Sequence, residues 1–156
     1  MKKVNLKDII SSLEQTDDQT SFYLNKNTYK IEMTFEDYFT LVDNLSEDDK
    51  LEGHPDWEKS LINLTRDILY GNDYISLPDK YEINEYDMMK KFLKHLPEFL
   101  FDSFYDALHK KSAFRNFHNL LNKHHLNDKW LKYRYEKYKD IAIYWCLSNK
   151  IKYIYK

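Results

Sequence analysis

Residues 21–35 read SFYLNKNTYKIEMTF, and this stretch decides the fold class. Apolar and polar side chains alternate over Ser21–Asn25 and again over Thr28–Phe35, on either side of the polar pair Lys26-Asn27. An alternation with a period of two is typical of half-buried strands, and a short polar break between two such runs predicts a β-hairpin. The hairpin supplies the β part of the fold.

Most of the remaining chain carries apolar residues at the helical spacing of three and four. The expected helices cover residues 5–15, 36–44, 55–70, 97–109, 113–124 and 127–148, and a further helix begins at the capping residue Asn84. A short strand is expected at Tyr74–Leu77, and Lys152–Tyr155 is a candidate edge strand. The sequence therefore predicts an α+β fold, predominantly α-helical, with a small antiparallel β-sheet packed on about six helices.

Length and composition predict a single domain over residues 1–156. The chain is 42% apolar and 17% aromatic, which suffices for one packed core. The side chains expected to form that contiguous core are Trp57, Phe92, Phe114, Phe117, Tyr138 and Trp145, with Leu131 on the same stripe of the last helix. An acidic, solvated loop is expected around residues 47–52.

The scarcity of glycine and cysteine excludes several classes of protein. Two glycines leave no glycine-rich phosphate loop and no dinucleotide fingerprint. The single cysteine, Cys146, permits neither an internal disulfide nor a thiolate zinc site. No apolar run approaches the ~20 residues of a membrane span. We therefore expect a cytoplasmic protein that uses no cofactor and no membrane.

The net charge of −2 conceals a strong asymmetry along the chain. Residues 1–106 carry 12 basic and 23 acidic side chains, a net charge of −11, whereas residues 107–156 carry 12 basic and 3 acidic ones, a net charge of +9. Such a distribution indicates an anionic partner, a protein partner docked on one face, or mutual attraction of the two halves within the fold.

The segment 110–119, KKSAFRNFHN, contains the strongest candidate site. Phe114 and Phe117 lie on one side of the predicted helix, and polar side chains lie on the other. The candidates on and just before this helix are Lys110, Lys111, Ser112, Arg115, His118 and Asn119. Free backbone N–H groups at a helix start, two ammonium groups and a planar guanidinium suit a phosphate. Ser112 is expected to cap the helix.

A second set of candidates consists of rings interleaved with basic residues in the last helix. A base requires a flat π-face on which to stack and a cation near its phosphate. Most rings on an amphipathic helix belong to the core. Only Trp130 and Tyr133 are therefore expected at the surface as stacking platforms.

Three groups of residues carry weaker signals for catalysis. They are a histidine cluster (His124, His125 and Asp128), a carboxylate group (Glu82, Glu85 and Asp87) and the thiol of Cys146. The histidine cluster has no second set of ligands near it in sequence. The carboxylates lie at a helix start, where acids are already favoured. Cys146 lies on an apolar helix and is expected to be an inert packing residue.

Five segments of the chain follow one another in the order found in a known family. They are Tyr23–Asn25, Tyr74–Pro78, Glu82–Met89, Ser112–Phe117 and Ile141–Cys146. In these segments, which span nearly the whole chain, the sequence resembles the uncharacterised bacterial protein family numbered 0158. That family usually has Gly-Ala-Phe-Arg-Arg-Phe where this chain has Ser112 and Asn116, so Arg115 is the cation that is kept. The resemblance implies no established activity, cofactor or catalytic residue.

These patterns predict a small, non-catalytic protein that binds an anionic, nucleotide-like ligand or single-stranded nucleic acid. Sequestration of a signalling nucleotide is one concrete version of this function. Two alternatives remain open from the sequence. The first is a protein-interaction module with acidic and basic docking faces, and the second is a metal-dependent phosphodiester hydrolase that uses the histidine cluster.

Overall fold

The computed structural model describes residues 1–45 and 51–156, and its class is α+β with mostly helical structure, as predicted. The elements in chain order are β1 (Val4–Asn5), α1 (Leu6–Gln15), β2 (Thr20–Asn25), β3 (Ile31–Phe35), α2 (Glu36–Asp43), α3 (Asp56–Tyr70), β4 (Tyr74–Ser76), α4 (Lys80–Ile83), α5 (Glu85–Phe92), α6 (Glu98–Leu108), α7 (Ala113–Lys123), α8 (Asn127–Ser148) and β5 (Tyr153–Ile154). A short 3-10 turn, Leu93–His95, follows α5. Most of the predicted acidic loop, residues 47–50, lies outside the described residues.

The predicted hairpin, β2 and β3, is part of a three-stranded antiparallel sheet with the order β3-β2-β4, in which β2 is the central strand. Phe22 of β2 stands opposite Met33 of β3, and Tyr23 of β2 stands opposite Ser76 of β4. Asn25 closes the turn. Its side-chain oxygen accepts hydrogen bonds from the N–H groups of Asn27 and Thr28, at 2.8 and 3.1 Å. An asparagine in this position favours a turn because its side chain replaces a backbone acceptor.

The chain divides into two compact units, residues 1–80 with 142–156 and residues 81–141. In the first unit, α1 packs against β2 and buries one apolar side. The buried side chains of these two elements are Leu6, Ile9, Ile10, Leu13, Phe22 and Leu24. The candidate edge strand near the C-terminus is confirmed, because Tyr153 of β5 pairs in parallel with Val4 of β1. The single domain over residues 1–156 stays a prediction.

The second unit is built around aromatic rings that meet edge to face. The Trp130 ring lies 5.2 Å from the ring of Phe92 and 5.0 Å from that of Phe117, measured between centroids, at interplanar angles of 71° and 79°. Phe104 adds a further edge contact to Phe117, at 5.6 Å. Perpendicular rings place the positive edge of one against the negative face of another, so these contacts stabilise the core beyond the area that they bury.

The predicted core is wrong at three positions. Trp57 is 63% exposed, Phe114 49% and Leu131 56%. On α3 the buried residues are Ile62 and Thr65, so the helix turns a different side to the core from the one that carries Trp57. This orientation is possible because the Thr65 hydroxyl donates to the Leu61 carbonyl of its own helix, at 2.7 Å, and therefore needs no distant partner.

Candidate functional site

The start of α7 is open to a ligand. Ser112 precedes the helix in the left-handed region, with φ 60° and ψ 41°, and its side chain makes no capping hydrogen bond. The predicted side-chain cap is therefore wrong, although Ser112 does occupy the position directly before the helix. The first helical bond runs from Asn116 N–H to Ser112 C=O, at 2.9 Å. The N–H groups of residues 113–115 have no partner in the part of the chain that the structure describes.

Three predicted cations lie next to this helix start in the chain. Lys110, Lys111 and Arg115 are exposed, and none forms an ion pair with any residue in 1–45 or 51–156. By contrast, Arg134 of α8 pairs with Glu85 of α5 at 2.5 Å. Attraction between the acidic and basic segments therefore explains the position of Arg134. It does not explain the cations at the start of α7.

A shallow groove between α6 and α7 brings two of the predicted residues together. Lys110 and Asn119 line it, and its volume is about 380 Å³. The other lining residues are Ser103, Asp106, Ala107, Asn116 and Leu120. Arg115 and His118 are exposed on α7 but do not line this groove. Sequence reasoning missed Ser103 and Asp106, although their spacing from Lys110 by seven and four residues was a usable helical signal.

A row of stacked rings, which sequence reasoning also missed, lies on the exposed side of α6. We call Phe101, Tyr105 and His109 the ring ladder. Successive centroids are 5.9 and 4.1 Å apart, with interplanar angles of 22° and 27°. His109 Nδ1 lies 2.7 Å from the Tyr105 carbonyl oxygen, so Nδ1 carries the donating proton. Residues four apart stand above one another on a helix, and this spacing was visible in the sequence.

The two predicted stacking platforms on α8 are placed differently. Trp130 is 1% exposed and belongs to the core, so it offers no face to a ligand. Tyr133 is half-buried, and its ring packs 5.2 Å from that of Phe92 and 5.2 Å from that of His95. Both rings pack against side chains of earlier elements. The prediction of a stacking surface at Trp130 is therefore wrong, whereas the Tyr133 ring is partly exposed.

Within residues 1–45 and 51–156, no group of three or more histidine, cysteine or acidic side chains is arranged to hold a metal. The predicted cluster of His124, His125 and Asp128 does not form such a group. His124 lies beside the ring of Phe104, and His125 takes a left-handed backbone with φ 56°. Burial raises the pKa of the Cys146 thiol to about 11, so its reactive thiolate is scarce at neutral pH.

Tyr138 joins the ion pair of α5 and α8 in the second unit. Arg134 Nη2 donates to the Tyr138 hydroxyl oxygen at 3.0 Å, and that hydroxyl donates to Glu85 at 3.4 Å. Burial, and next the negative charge of Glu85, raise the pKa of Tyr138 to about 12 from its ordinary value of 10.0. The cluster fixes α8 against α5, and we assign it a structural role.

We expect the stability of the protein to fall between pH 10 and pH 12 because of Tyr138. In that range the Tyr138 phenol loses its proton in the unfolded chain but keeps it in the folded chain. The stabilisation that Tyr138 gives the folded state is therefore complete below pH 10, and above it the stabilisation declines by about 1.4 kcal/mol per pH unit. Denaturant unfolding of wild type and Tyr138→Phe at several pH values measures it. The difference in unfolding free energy between wild type and Tyr138→Phe should shrink by roughly 2–3 kcal/mol from pH 10 to pH 12. Parallel curves would contradict the assignment.

Comparison with models of protein families, with curated proteins and with solved structures gives no match to this chain. Membership of the uncharacterised family 0158 therefore stays a prediction. Among the described residues, no helix has the length and apolar character needed to cross a membrane.

Proposed function

We propose that this chain binds an anionic, nucleotide-like ligand or single-stranded nucleic acid, without catalysis, on a surface formed by α6 and α7. We define this α6–α7 surface by the ring ladder, the cations Lys110, Lys111 and Arg115, and the open N–H groups of residues 113–115. One observation carries the proposal. The ring ladder ends at His109, which directly precedes in the chain the two lysines without an ion pair among the described residues and then the helix start.

The two halves of this surface suit the two halves of a nucleotide. Exposed rings accept a base by stacking, which requires no particular base and no duplex. The open N–H groups carry the partial positive charge of a helix start and, with the lysines and Arg115, suit a phosphate. Tyr105 is 47% exposed even though it stacks on two neighbours, so ring surface remains for a ligand. A signalling nucleotide held in this way would be sequestered.

Arg115→Ala is expected to weaken binding of a mononucleotide by about 1.5–3 kcal/mol, or roughly 10- to 150-fold. The planar guanidinium donates two parallel hydrogen bonds to a phosphate, and alanine removes both. Lys111→Ala should have a smaller effect, because a flexible ammonium loses more entropy for each bond formed. Calorimetric titration of a nucleotide panel into the three proteins measures this. Equal affinity for wild type and Arg115→Ala would exclude this residue from the site.

The ring ladder is tested in the same experiment with a matched pair of tyrosine variants. Tyr105→Ala should weaken a fluorescent oligothymidylate by about 1–3 kcal/mol and leave inorganic phosphate unaffected, because only a base stacks. Tyr144 on α8 is 74% exposed and has no ring partner in the described chain, so Tyr144→Ala is the control and should bind as wild type. Added salt should weaken the oligonucleotide steeply and a mononucleotide much less. Identical losses for both variants would contradict a role for the ladder.

The interaction-module alternative is supported by one observation in the second unit. Phe99 at the start of α6 is 81% exposed, and large apolar side chains at the surface are typical of protein-binding faces. Two results together would favour this alternative over nucleotide binding. No nucleotide would raise the melting temperature, and the protein would capture a protein partner that Phe99→Ser no longer binds. Saturating ligand at ~100 times its Kd should instead stabilise the protein by about 2.7 kcal/mol.

A further inference from the structure

The backbone orientation of β3 follows from the hydrogen bonds that flank it. The Lys30 carbonyl accepts from Asn25 N–H at 2.9 Å, and Glu36 N–H donates to the Gln19 carbonyl at 2.9 Å. Residues 30 and 36 therefore direct their backbone groups towards β2. Backbone direction alternates along a strand, so the odd-numbered residues of β3 direct theirs away from β2. That side is the outer edge of the sheet, because β3 is its terminal strand.

This outer edge has unpaired backbone groups, whereas at the opposite edge of the sheet one outward carbonyl is bonded to a side chain of α8. The N–H and C=O groups of Ile31 and Met33, and the N–H group of Phe35, have no hydrogen-bond partner in residues 1–45 or 51–156. Phe35 is also the N-cap of α2, a position whose carbonyl accepts the first helical hydrogen bond. At the other edge, the Ser76 carbonyl of β4 accepts a hydrogen bond from Trp145 Nε1 at 2.9 Å. An open edge is a template for another strand, and β3 contains no proline to prevent pairing.

We propose that β3 pairs in antiparallel fashion with β3 of a second copy of this chain, about a two-fold axis at Met33. This inference does not depend on the proposed nucleotide site. In this register, Ile31 stands opposite Phe35 of the second copy, and Lys30 stands opposite its Glu36. Within each copy the Lys30 ammonium lies 3.4 Å from the Glu32 carboxylate, and the two-fold axis would bring the Glu36 carboxylate of the other copy to each of these pairs. Residues 30 and 36 face each other without backbone bonds, the arrangement in which side chains are closest.

The apolar surface beside this edge supports the same occupant. Met33 is 38% exposed, and a groove of about 640 Å³ runs beside it between the sheet and α1. The two Met33 side chains would lie side by side across the axis and cover this exposed surface. An unrelated peptide could also pair with this backbone edge. A second copy differs because, in the antiparallel register, each chain places its Glu36 opposite the Lys30 of the other.

The charge pair provides a reciprocal test by sedimentation equilibrium, from low micromolar to submillimolar protein. Wild type should reach twice the monomer mass of 19.2 kDa. Lys30→Glu and Glu36→Lys should each raise the dimer Kd by about tenfold or more, because each makes two pairs of like charge. The double variant Lys30→Glu/Glu36→Lys should restore the wild-type Kd. Circular dichroism confirms that each variant is folded.

Lys26→Glu is the matched control, since it makes the same charge change in the hairpin turn at a residue whose backbone N–H bonds the Asp73 carbonyl, on the side away from the β3 edge. It should dimerise as wild type does. Three results would overturn the proposal: a monomer at every concentration, a dimer that Lys30→Glu leaves intact, or a double variant that stays as weak as the single ones. Arg115→Ala should leave the dimer unchanged, so a failure here and a failure of the nucleotide site are distinguishable.

Discussion

Trp130→Ala is expected to destabilise the protein by about 3–5 kcal/mol, the usual cost of removing a large buried ring. Trp130 is 1% exposed and meets the rings of Phe92 and Phe117 edge to face, so alanine removes both contacts and leaves a cavity. A loss of this size is a large part of the total stability of a small protein. The result decides between two roles for this residue, because a surface stacking platform would be replaced at little cost.

Urea unfolding followed by circular dichroism measures this loss without relying on tryptophan fluorescence. Leu131→Ala is the matched control, since the neighbouring Leu131 is 56% exposed and its removal should cost much less. Amide exchange should show reduced protection of α5 and α7, which supply the ring partners of Trp130. If Trp130→Ala were as stable as wild type but bound nucleotides more weakly, Trp130 would belong to the ligand site, and its burial would be contradicted.

The elements that could be predicted from sequence are those fixed by nearby residues. The hairpin and the ends of most helices depend on side-chain period and on turn or capping residues a few positions away. Asn84 is an example, because its side chain accepts from Asp87 N–H at 3.2 Å, as its position before α5 predicts. The fold class follows from these local signals, and its prediction is confirmed.

The elements that could not be predicted depend on partners distant in sequence. The chain is 17% aromatic, so it has more rings than its core can hold, and local spacing does not say which are buried. Trp130 is buried because Phe92 and Phe117 converge on it. Among the described residues the Phe114 ring contacts just the ring of Tyr86, at 6.4 Å, and it stays half exposed. The ring ladder was missed for the same reason, since its spacing of four is also that of a core stripe.

Trp145→Ala is expected to cost about 3–5 kcal/mol in the first unit, for two separable reasons. The side chain is 7% exposed, so alanine leaves a cavity, and the register predicted for this part of α8 is confirmed. The indole N–H also donates to the Ser76 carbonyl at the outer edge of β4, at 2.9 Å. Trp145→Phe keeps most of the ring volume and removes only the donor, so it should cost about 1–3 kcal/mol.

The difference between the two Trp145 variants separates packing from edge protection. Denaturant unfolding gives both stability losses, and amide exchange at Leu77 reports on the sheet edge, because Leu77 N–H donates to the Phe22 carbonyl at 2.9 Å. Both variants should speed that exchange, since both free the Ser76 carbonyl beside it. If Trp145→Phe were as stable as wild type and equally protected, the indole hydrogen bond would not secure this edge. The Ser76 carbonyl would then not distinguish the β4 edge from the open edge of β3.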